Sequence, residues 1–498
     1  MGKVIVIGID GLDRFLLSKF ESDLPNFRKL KNEGVGLKME SVFPVDSVPA
    51  WASIYTGLNP ANHGLLRSID YLDKRCGKSD MDTGILPGRT YWDYAGTFGK
   101  KVCIINPFMA YPVWQVNGIM INGPVFIDGT VQAYPQSILE EYEVPHLGGI
   151  VGFPSKRELD KFCGETEKIT LEEAEFGLKL LRDYDWDLYF ICFLTLDRIQ
   201  HFFWRYCFED DPTYPGDNPY KNVIKDFYKL FDKIVGEFIV GLDSDTVIIV
   251  HSDHGHGMRS TKLLNINEIL RRKGLLISRA KTSNYTNIRY LIERMKAKSL
   301  DFVHKHELGK LAIKLAKVIP KSKELQKSSF IIDMNESLAF ASDFAGMTPC
   351  GGININLNTD KGLESGDERD YEGIRDLLIK ELREIKDPDT GEKLVKWICR
   401  REEVYSGKYI SKFPDIIFEL NENYGVNWTI HNSIISANYT HKLISGGHKR
   451  EGTFLVSNLR NEDFVRKNVT LMDIAPTILD LLDGKGNFNL DGKSIFKF

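Results

Sequence analysis

Short runs of apolar residues recur along the chain, and each is followed by polar or glycine-rich residues. Continuous apolar runs bounded by turn residues are typical of strands that are covered on both faces. The sequence predicts six such strands: Val4–Ile9, Lys101–Ile105, Leu188–Leu196, Thr246–Val250, Asp415–Leu420 and Thr453–Val456. Helical patterns alternate with these runs, for example over Leu171–Tyr184 and Leu471–Leu482. This alternation predicts an α/β fold with a mostly parallel sheet, in which ligands bind beyond the carboxyl ends of the strands.

One region departs from this pattern. Between Arg279 and Lys327, thirteen Lys or Arg residues stand against four Asp or Glu residues, and apolar residues repeat at helical spacing. We predict a basic amphipathic helical insertion over residues 279–329, between two parts of a core at 1–278 and 330–498. A solvated helix that packs on the core fits this pattern, and so does a cap that contacts an anionic substrate or membrane surface.

Composition narrows the class of protein. The 498 residues are 42% hydrophobic and 27% charged, which excludes a wholly disordered chain. The net charge of −4 gives no basic field for a nucleic-acid polymer. Seven cysteines form no CxxC pair, so neither a zinc-thiolate site nor a disulfide framework is expected. No apolar run approaches the ~18 residues that span a membrane, and the chain opens on a predicted strand, so we predict a cytoplasmic protein.

Metal-ligand residue types follow several predicted strands. Asp10 comes directly after the first strand, and Asp253 and His254 follow Thr246–Val250. Carboxylate oxygen and neutral imidazole together suit zinc or manganese, although a turn aspartate and a polar loop explain the same residues. His251 and His256 flank the pair, and we expect them to support the ligands or to lie at the surface.

Asp197 and His201 form a second pair. They lie four residues apart after the strand Leu188–Leu196, so on a helix they would share a face and bind one metal. An N-cap aspartate beside an unrelated histidine is the alternative. His448 lies in a Gly-Gly-His segment before the last predicted strand, where glycines allow an unusual backbone path.

Ser47 lies two residues before Pro49, which is typical of the first turn of a helix. Read alone, Ser47 is an N-cap residue. The same position also suits phosphoryl chemistry, because a helix N-terminus attracts phosphate and a serine next to a divalent metal becomes a nucleophile.

Taken together and in this order, these residues resemble the alkaline phosphatase superfamily, and within it the type I phosphodiesterase/nucleotide pyrophosphatase family with its phosphohydrolase and phosphomutase relatives. The resemblance extends over nearly the whole chain. It rests on these segments: Ile7–Gly11, Phe43–Pro49, Ser53–Pro60, His63–Gly64, Asp197–Trp204, Ser252–Gly255, Gly446–His448 and Asp473–Leu479.

The resemblance implies an alkaline-phosphatase-like α/β/α sandwich around a mixed sheet, with two divalent ions that are usually zinc, or manganese in one branch. One metal would be held by Asp10, Ser47, Asp253 and His254, and the other by Asp197, His201 and His448. Ser47 would attack phosphorus and form a covalent phosphoseryl intermediate, which water on the second metal would then hydrolyse.

Three departures bear on the substrate. Nucleotide pyrophosphatases usually carry Thr where this chain has Ser47, and they place an Asn where this chain reads Leu65–Asp70. Arg67 in that stretch is either a surface residue or a clamp for a phosphate. Sulfatases need an Arg where this chain has Trp51, so the sequence does not favour a sulfatase.

The leading hypothesis is a hydrolase of phosphoric diesters or pyrophosphates in small phosphorylated molecules. The alternatives are a phosphomonoesterase or phosphomutase, favoured by Arg67, Lys74 and Arg75, and a head-group phosphotransferase that contacts an anionic membrane through the basic insertion. The non-enzymatic alternative is a regulatory protein that keeps the fold of an enzyme but has lost its catalytic activity. The choice between zinc and manganese, and the oligomeric state, stay open.

Overall fold

The computed structural model describes residues 2–66, 86–125, 129–150, 152–280, 330–356, 368–430, 433–459, 468–484, 486 and 488–496. The chain divides into two compact units. The first comprises Met1–Met258, Tyr405–Lys412 and Ile444–Phe498, and the second comprises Arg259–Val404 and Phe413–Leu443. Nearly all of the predicted insertion, residues 281–329, lies outside the described residues, so its helices and its action as a cap stay predictions.

The strands and helices are numbered here in chain order. The strands are β1 Val4–Ile9, β2 Gly34–Glu40, β3 Val102–Ile105, β4 Gly118–Asn122, β5 Gln132–Tyr134, β6 Leu188–Phe193, β7 Val247–His251, β8 Gly255–Met258, β9 Lys262–Asn265, β10 Ser278–Ala280, β11 Phe330–Ile332, β12 Ala339–Phe340, β13 Cys350–Ile355, β14 Val395–Arg400, β15 Ile416–Leu420, β16 Tyr424–Asn427, β17 Ile435–Ala437, β18 Gly446–Lys449, β19 Glu451–Ser457 and β20 Val469–Thr470. The helices are α1 Arg14–Lys19, α2 Pro25–Glu33, α3 Ser47–Thr56, α4 Pro60–His63, α5 Tyr91–Thr97, α6 Ile138–Glu141, α7 Leu159–Asp183, α8 Thr195–Cys207, α9 Val223–Ile239, α10 Ile266–Arg272, α11 Glu368–Arg383 and α12 Ile474–Leu481.

A nine-stranded sheet forms the centre of the first unit, in the order β20-β2-β19-β7-β1-β6-β3-β4-β5. Strand β1 lies between β6 and β7 and pairs with both in parallel. Strand β19 is antiparallel to β7 and to β2, and β5 is antiparallel to β4. The mixed, mostly parallel sheet predicted from the sequence is therefore confirmed, and β1, β6 and β7 end at the same edge.

Helices cover both faces of this sheet, which explains the continuous apolar runs. Along β1, Ile5, Ile7 and Ile9 pack into one buried cluster with residues of α1, α2, α7, α8 and α9. The alternating residues Val4 and Val6 pack on the other face with α3, α5 and α12. Successive side chains of a strand point to opposite faces, so a strand between two helical layers is apolar at every position. The α/β/α sandwich is confirmed.

The second unit has a different architecture. A four-stranded sheet has the order β12-β13-β15-β14, a three-stranded sheet has the order β16-β9-β17, and α10 and α11 contribute to the same buried core. The predicted strand Asp415–Leu420 is β15, which pairs antiparallel with β13 and β14 rather than in the parallel sheet. It is buried along its whole length, so its pattern could not be told from that of a parallel strand.

Two expectations from the sequence concern the cellular compartment: that the cysteines form no disulfide framework and that no segment spans a membrane. None of the described cysteines forms a disulfide: Cys103, Cys163, Cys192, Cys207, Cys350 and Cys399. Within the part of the chain that the structure describes, no helix is both long and apolar enough to cross a membrane. The cytoplasmic location stays a prediction.

Candidate active site

The carboxyl ends of three adjacent parallel strands bring the predicted acidic residues together. Asp10 follows β1 directly, Asp253 lies two residues after β7, and Asp197 lies in the first turn of α8, just after β6. Because β6, β1 and β7 are neighbours in that order, their carboxyl ends form one edge where these side chains converge. The three carboxylates are buried, with 3% of Asp10, 8% of Asp197 and none of Asp253 exposed to solvent.

Ser47 is the first residue of α3 and faces this cluster. Its Oγ lies 3.1 Å from Nε2 of His254. The sequence suggested Ser47 itself as the N-cap, but the cap is Asp46, whose Oδ1 accepts a hydrogen bond of 3.0 Å from the Val48 amide. Asp46 therefore takes the capping task and leaves the Ser47 hydroxyl free to point at the cluster.

Asp10, Asp253 and His254 form the first group of donor atoms. His254 Nε2 lies 3.3 Å from Asp253 Oδ2 and 3.6 Å from Asp10 Oδ1. Burial and the nearby charge of Asp253 raise the pKa of Asp10 well above its usual range, and burial raises the pKa of Asp253 to about 7. Two buried carboxylates this close repel each other unless protons or a cation offset their charge.

The remaining carboxylate oxygens of this group are fixed by hydrogen bonds. Trp51, one helical turn after Ser47, donates from Nε1 to Asp10 Oδ2 at 3.1 Å. Gly8 in β1 makes room for the indole, because a Cβ there would lie 2.7 Å from Trp51 Cη2. The amide of Gly11, with φ +70°, donates to Asp253 Oδ1 at 3.2 Å. Asp10 and Asp253 thus each have one oxygen anchored and one directed at His254.

Asp197, His201 and His448 form the second group. The helix predicted for the Asp197–His201 pair exists as α8, and it places His201 Nε2 3.3 Å from Asp197 Oδ1. His448 lies on β18 rather than in a loop, and its Nε2 is 3.4 Å from Asp197 Oδ1 and 3.0 Å from His201 Nε2. The structure therefore brings all seven predicted residues into two adjoining groups.

Hydrogen bonds to carbonyl oxygens decide which ring nitrogen of these histidines carries the proton. Nδ1 of His254 lies 3.0 Å from the Gly255 carbonyl, Nδ1 of His201 lies 2.9 Å from the Gly446 carbonyl, and Nδ1 of His448 lies 3.3 Å from the Val45 carbonyl. A carbonyl can only accept, so Nδ1 donates in each case. Burial lowers the pKa of His254 and of His201 well below the usual range, so Nε2 of both rings offers a lone pair at neutral pH.

The donor set fits a divalent cation. Asp10 Oδ1, Asp253 Oδ2 and Asp197 Oδ1 are buried and have no hydrogen-bond partner among the described residues. A buried carboxylate oxygen without a partner is costly unless it binds a cation. The donor atoms of Asp10, Asp253 and His254 lie within 4.8 Å of one another, as do those of Asp197, His254 and His448. Carboxylate oxygens with neutral imidazoles are ligands that zinc and manganese accept.

The sequence predicted that His251 and His256 either support the ligands or lie at the surface, and the surface alternative is wrong because both residues are buried. The ring of His251 packs 5.5 Å from Trp51, and burial lowers its pKa to about 4, so it is a core residue behind the site. Nδ1 of His256 lies 3.3 Å from Asp197 Oδ1. The signal for His256 was present: His254 and His256 are two residues apart where strand β8 begins, so they lie on the same side of the chain.

A hydrogen-bond chain below the site was also missed. The Asp13 amide donates to the Tyr228 hydroxyl, which donates to Gln200 Oε1, and Gln200 Nε2 donates to the Gly11 carbonyl. This chain ties α8 to the turn after β1, and thereby Asp197 to Asp10. The predicted substrate contact Arg67 lies outside the described residues.

Comparison with solved structures finds proteins of similar fold. Phosphonoacetate hydrolase from Sinorhizobium meliloti 1021 in complex with phosphonoacetate aligns over 97% of this chain and 96% of its own, at 14% identity and a TM-score of 0.54. Human ectonucleotide pyrophosphatase/phosphodiesterase 5 aligns over 97% and 95%, at 12% identity and a TM-score of 0.46. The chain has the alkaline-phosphatase-like fold that the sequence implied.

Sequence comparison gives the family. No curated protein sequence matches the chain significantly. The family model for type I phosphodiesterase/nucleotide pyrophosphatase matches residues 4–446, a span that includes every predicted ligand except His448. The chain therefore belongs to the type I phosphodiesterase/nucleotide pyrophosphatase family and is a hydrolase acting on phosphoric ester bonds.

Proposed function

We propose that this chain hydrolyses phosphoric diesters or pyrophosphates with Ser47 as the nucleophile and two divalent ions as cofactors. One observation carries the proposal: the Ser47 hydroxyl, at the N-terminus of a ten-residue helix, lies 3.1 Å from His254 Nε2 and next to carboxylate oxygens that have no partner among the described residues. A hydroxyl nucleophile beside a cation site is the arrangement that phosphoryl transfer through a covalent intermediate requires.

The two donor groups divide the proposed ligands. Asp10, Ser47, Asp253 and His254 would hold one ion, and Asp197, His201 and His448 the other. When bound, the ions supply positive charge that favours the Ser47 alkoxide and offsets the charge of the phosphoryl group in the transition state. Zinc suits both groups, and manganese suits the carboxylate-rich one better than the imidazole-rich one.

The side chains of this protein account for the order of bond changes. Ser47 Oγ loses its proton to solvent and bonds to phosphorus, while the bond from phosphorus to the leaving oxygen breaks and that oxygen departs as an anion or takes a proton from solvent. A phosphoseryl ester remains on Ser47. Water then bonds to phosphorus and gives up a proton to solvent, the bond from phosphorus to Ser47 Oγ breaks, and Oγ takes up a proton to restore the hydroxyl. The N-terminal end of α3 holds its partial positive charge next to the anionic phosphoryl group at each stage.

Two of the alternatives depend on residues that the structure does not describe. The residues that favour a phosphomonoesterase, Arg67, Lys74 and Arg75, lie outside the described residues, and so does most of the basic segment on which a head-group phosphotransferase depends. Both alternatives therefore stay open. A regulatory protein on a retired fold would have no need of a complete donor set. The seven predicted residues are present and adjacent, which supports an enzyme.

Steady-state hydrolysis tests the proposal. Metal-free protein is refilled with zinc or manganese and assayed on bis(4-nitrophenyl) phosphate and on 4-nitrophenyl phosphate. We expect the diester to be preferred, and Ser47→Ala to lose activity about a thousandfold or more. Ser47→Thr, which keeps a hydroxyl, is the matched control and should retain activity. A preference for the monoester, or an active Ser47→Ala variant, would contradict the proposal.

A further inference from the structure

His256 lies at the imidazole-rich group but has no place in the ligand sets above. Its side chain is fully buried. Neither ring nitrogen has a hydrogen-bond partner of acceptable geometry among the described residues. A buried polar atom without a partner costs about 1–3 kcal/mol, so a histidine kept in this state calls for another partner.

The distances around Asp197 Oδ1 indicate that partner. His201 Nε2 and His256 Nδ1 both lie 3.3 Å from this oxygen, and His448 Nε2 lies 3.4 Å from it. None of these contacts satisfies the oxygen as a hydrogen bond. Two ligands at tetrahedral angles on one zinc ion, with bonds of 2.0–2.1 Å, stand about 3.3 Å apart. The distances of these three imidazole nitrogens from Asp197 Oδ1 thus match the distance between two ligands of one ion, and the donor atoms of Asp197, His201 and His256 all lie within 4.8 Å of one another.

We propose that His256 binds, through Nδ1, the same metal ion as Asp197, His201 and His448, as a fourth protein ligand. This inference rests on the proposed two-metal function and adds a residue to it. One centre then has three imidazoles and one carboxylate, while the other has two carboxylates, one imidazole and the Ser47 oxygen. Since imidazole favours zinc over manganese, the centre with His256 is the zinc-selective one.

The fold holds His256 in this position from several sides. Its amide donates to Asp13 Oδ2 at 3.1 Å, and β8 pairs with β18 so that His256 lies directly opposite His448. Gly446 leaves space for the ring, because a Cβ there would lie 2.6 Å from His256 Nε2. The ring of His201 packs 4.7 Å away, nearly at right angles. The imidazole is therefore oriented before any ion binds.

Zinc affinity, measured by competition with a chromophoric chelator, tests this assignment without reference to catalysis. We expect wild-type protein to bind two equivalents of zinc tightly. In His256→Phe one equivalent should keep its affinity and the other should weaken at least tenfold. Loading with cobalt(II) should show a changed visible spectrum for the same single equivalent. The matched control is His251→Phe, which also removes a buried imidazole and should bind both equivalents as wild type does.

The outcomes separate this inference from the proposed function. If wild-type protein binds no zinc, the two-metal function fails. If wild type binds two equivalents and His256→Phe binds both with unchanged affinity and an unchanged cobalt spectrum, His256 is not a ligand. Should His256→Phe fail to fold, as judged by circular dichroism, His256→Gln replaces it: a tenfold weakening of one equivalent supports the assignment, and wild-type binding overturns it.

Discussion

Replacing Asp253 by Asn should stabilise the metal-free protein, and should do so more strongly as the pH rises. Burial raises the pKa of Asp253 from 3.8 to about 7, so the folded protein holds a proton on this carboxyl that the unfolded chain releases. The protonated Asp253 carboxyl makes its full contribution to the unfolding free energy below pH 3.8, and this contribution is lost as the pH rises through 7. At 1.36 kcal/mol per pKa unit, the loss is about 2 kcal/mol at pH 5 and about 4 kcal/mol at pH 8.

The asparagine has no such proton to lose and keeps the local contacts. Its side-chain oxygen can still accept from the Gly11 amide, and its NH2 can donate to His254 Nε2, which lies 3.3 Å from Asp253 Oδ2. Removal of this charge also lowers the pKa of Asp10, because the charge of Asp253 is one of the causes that raise it.

Urea unfolding of chelator-treated wild type and Asp253→Asn at pH 5 and pH 8 measures this difference. We expect the variant to gain about 2 kcal/mol more at pH 8 than at pH 5. Saturating zinc should make the wild type more stable than Asp253→Asn at pH 8, because only the wild type keeps the full ligand set. A difference in unfolding free energy that is the same at both pH values, or a variant that is less stable than wild type at pH 8 without metal, would refute the reasoning.

Three further predictions concern the support of the site. Trp51→Phe removes the Nε1 donor to Asp10 while keeping a ring, and should weaken binding of one zinc equivalent about tenfold in the chelator competition assay; unchanged affinity would show that Trp51 only packs. Gly8→Ala places a Cβ 2.7 Å from the Trp51 ring and should lower the unfolding free energy by about 1–3 kcal/mol. The control is Gly373→Ala, where a Cβ would meet nothing within 4 Å, so this substitution should stabilise α11 by about 0.5–1 kcal/mol. If both variants changed the unfolding free energy in urea by the same amount, the packing account would be contradicted. Zinc added to the metal-free protein at a concentration of 100 times its dissociation constant should raise the unfolding free energy by about 2.7 kcal/mol per site. If calorimetry showed the same melting temperature with and without zinc, coupling of metal binding to folding would be contradicted.

The sequence predicted strands best where both faces of the strand are buried. Strands β1, β6 and β7 read as unbroken apolar runs because helices cover both of their faces, and the residues after them were correctly placed at one edge. The same pattern misassigned β15, which is equally buried but belongs to an antiparallel sheet. The pattern of apolar residues along a strand indicates which of its faces are buried, but it does not indicate which strand pairs with it.

Residues whose position depends on a distant strand were harder to place. His448 was recognised only through its companions, since its pairing with β8 joins residues that are far apart in the chain. His256 was predicted to support the ligands or to lie at the surface, because its spacing from His254 places both residues on one side of the chain but does not show which carboxylate His256 faces. Ser47 was predicted to be the N-cap of α3, but Asp46 is the cap, because both residue types cap helices and local sequence does not rank them.

The phosphoseryl intermediate on Ser47 is the central claim, and trapping it is the most direct test. Zinc-loaded protein is mixed with bis(4-nitrophenyl) phosphate, quenched in acid within milliseconds, digested and examined by peptide mass spectrometry. The account predicts a nitrophenylphosphoryl group on Ser47, a matching burst of one nitrophenolate per active site, and neither signal in Ser47→Ala. Turnover of the diester with no modified Ser47 and no burst would contradict the account.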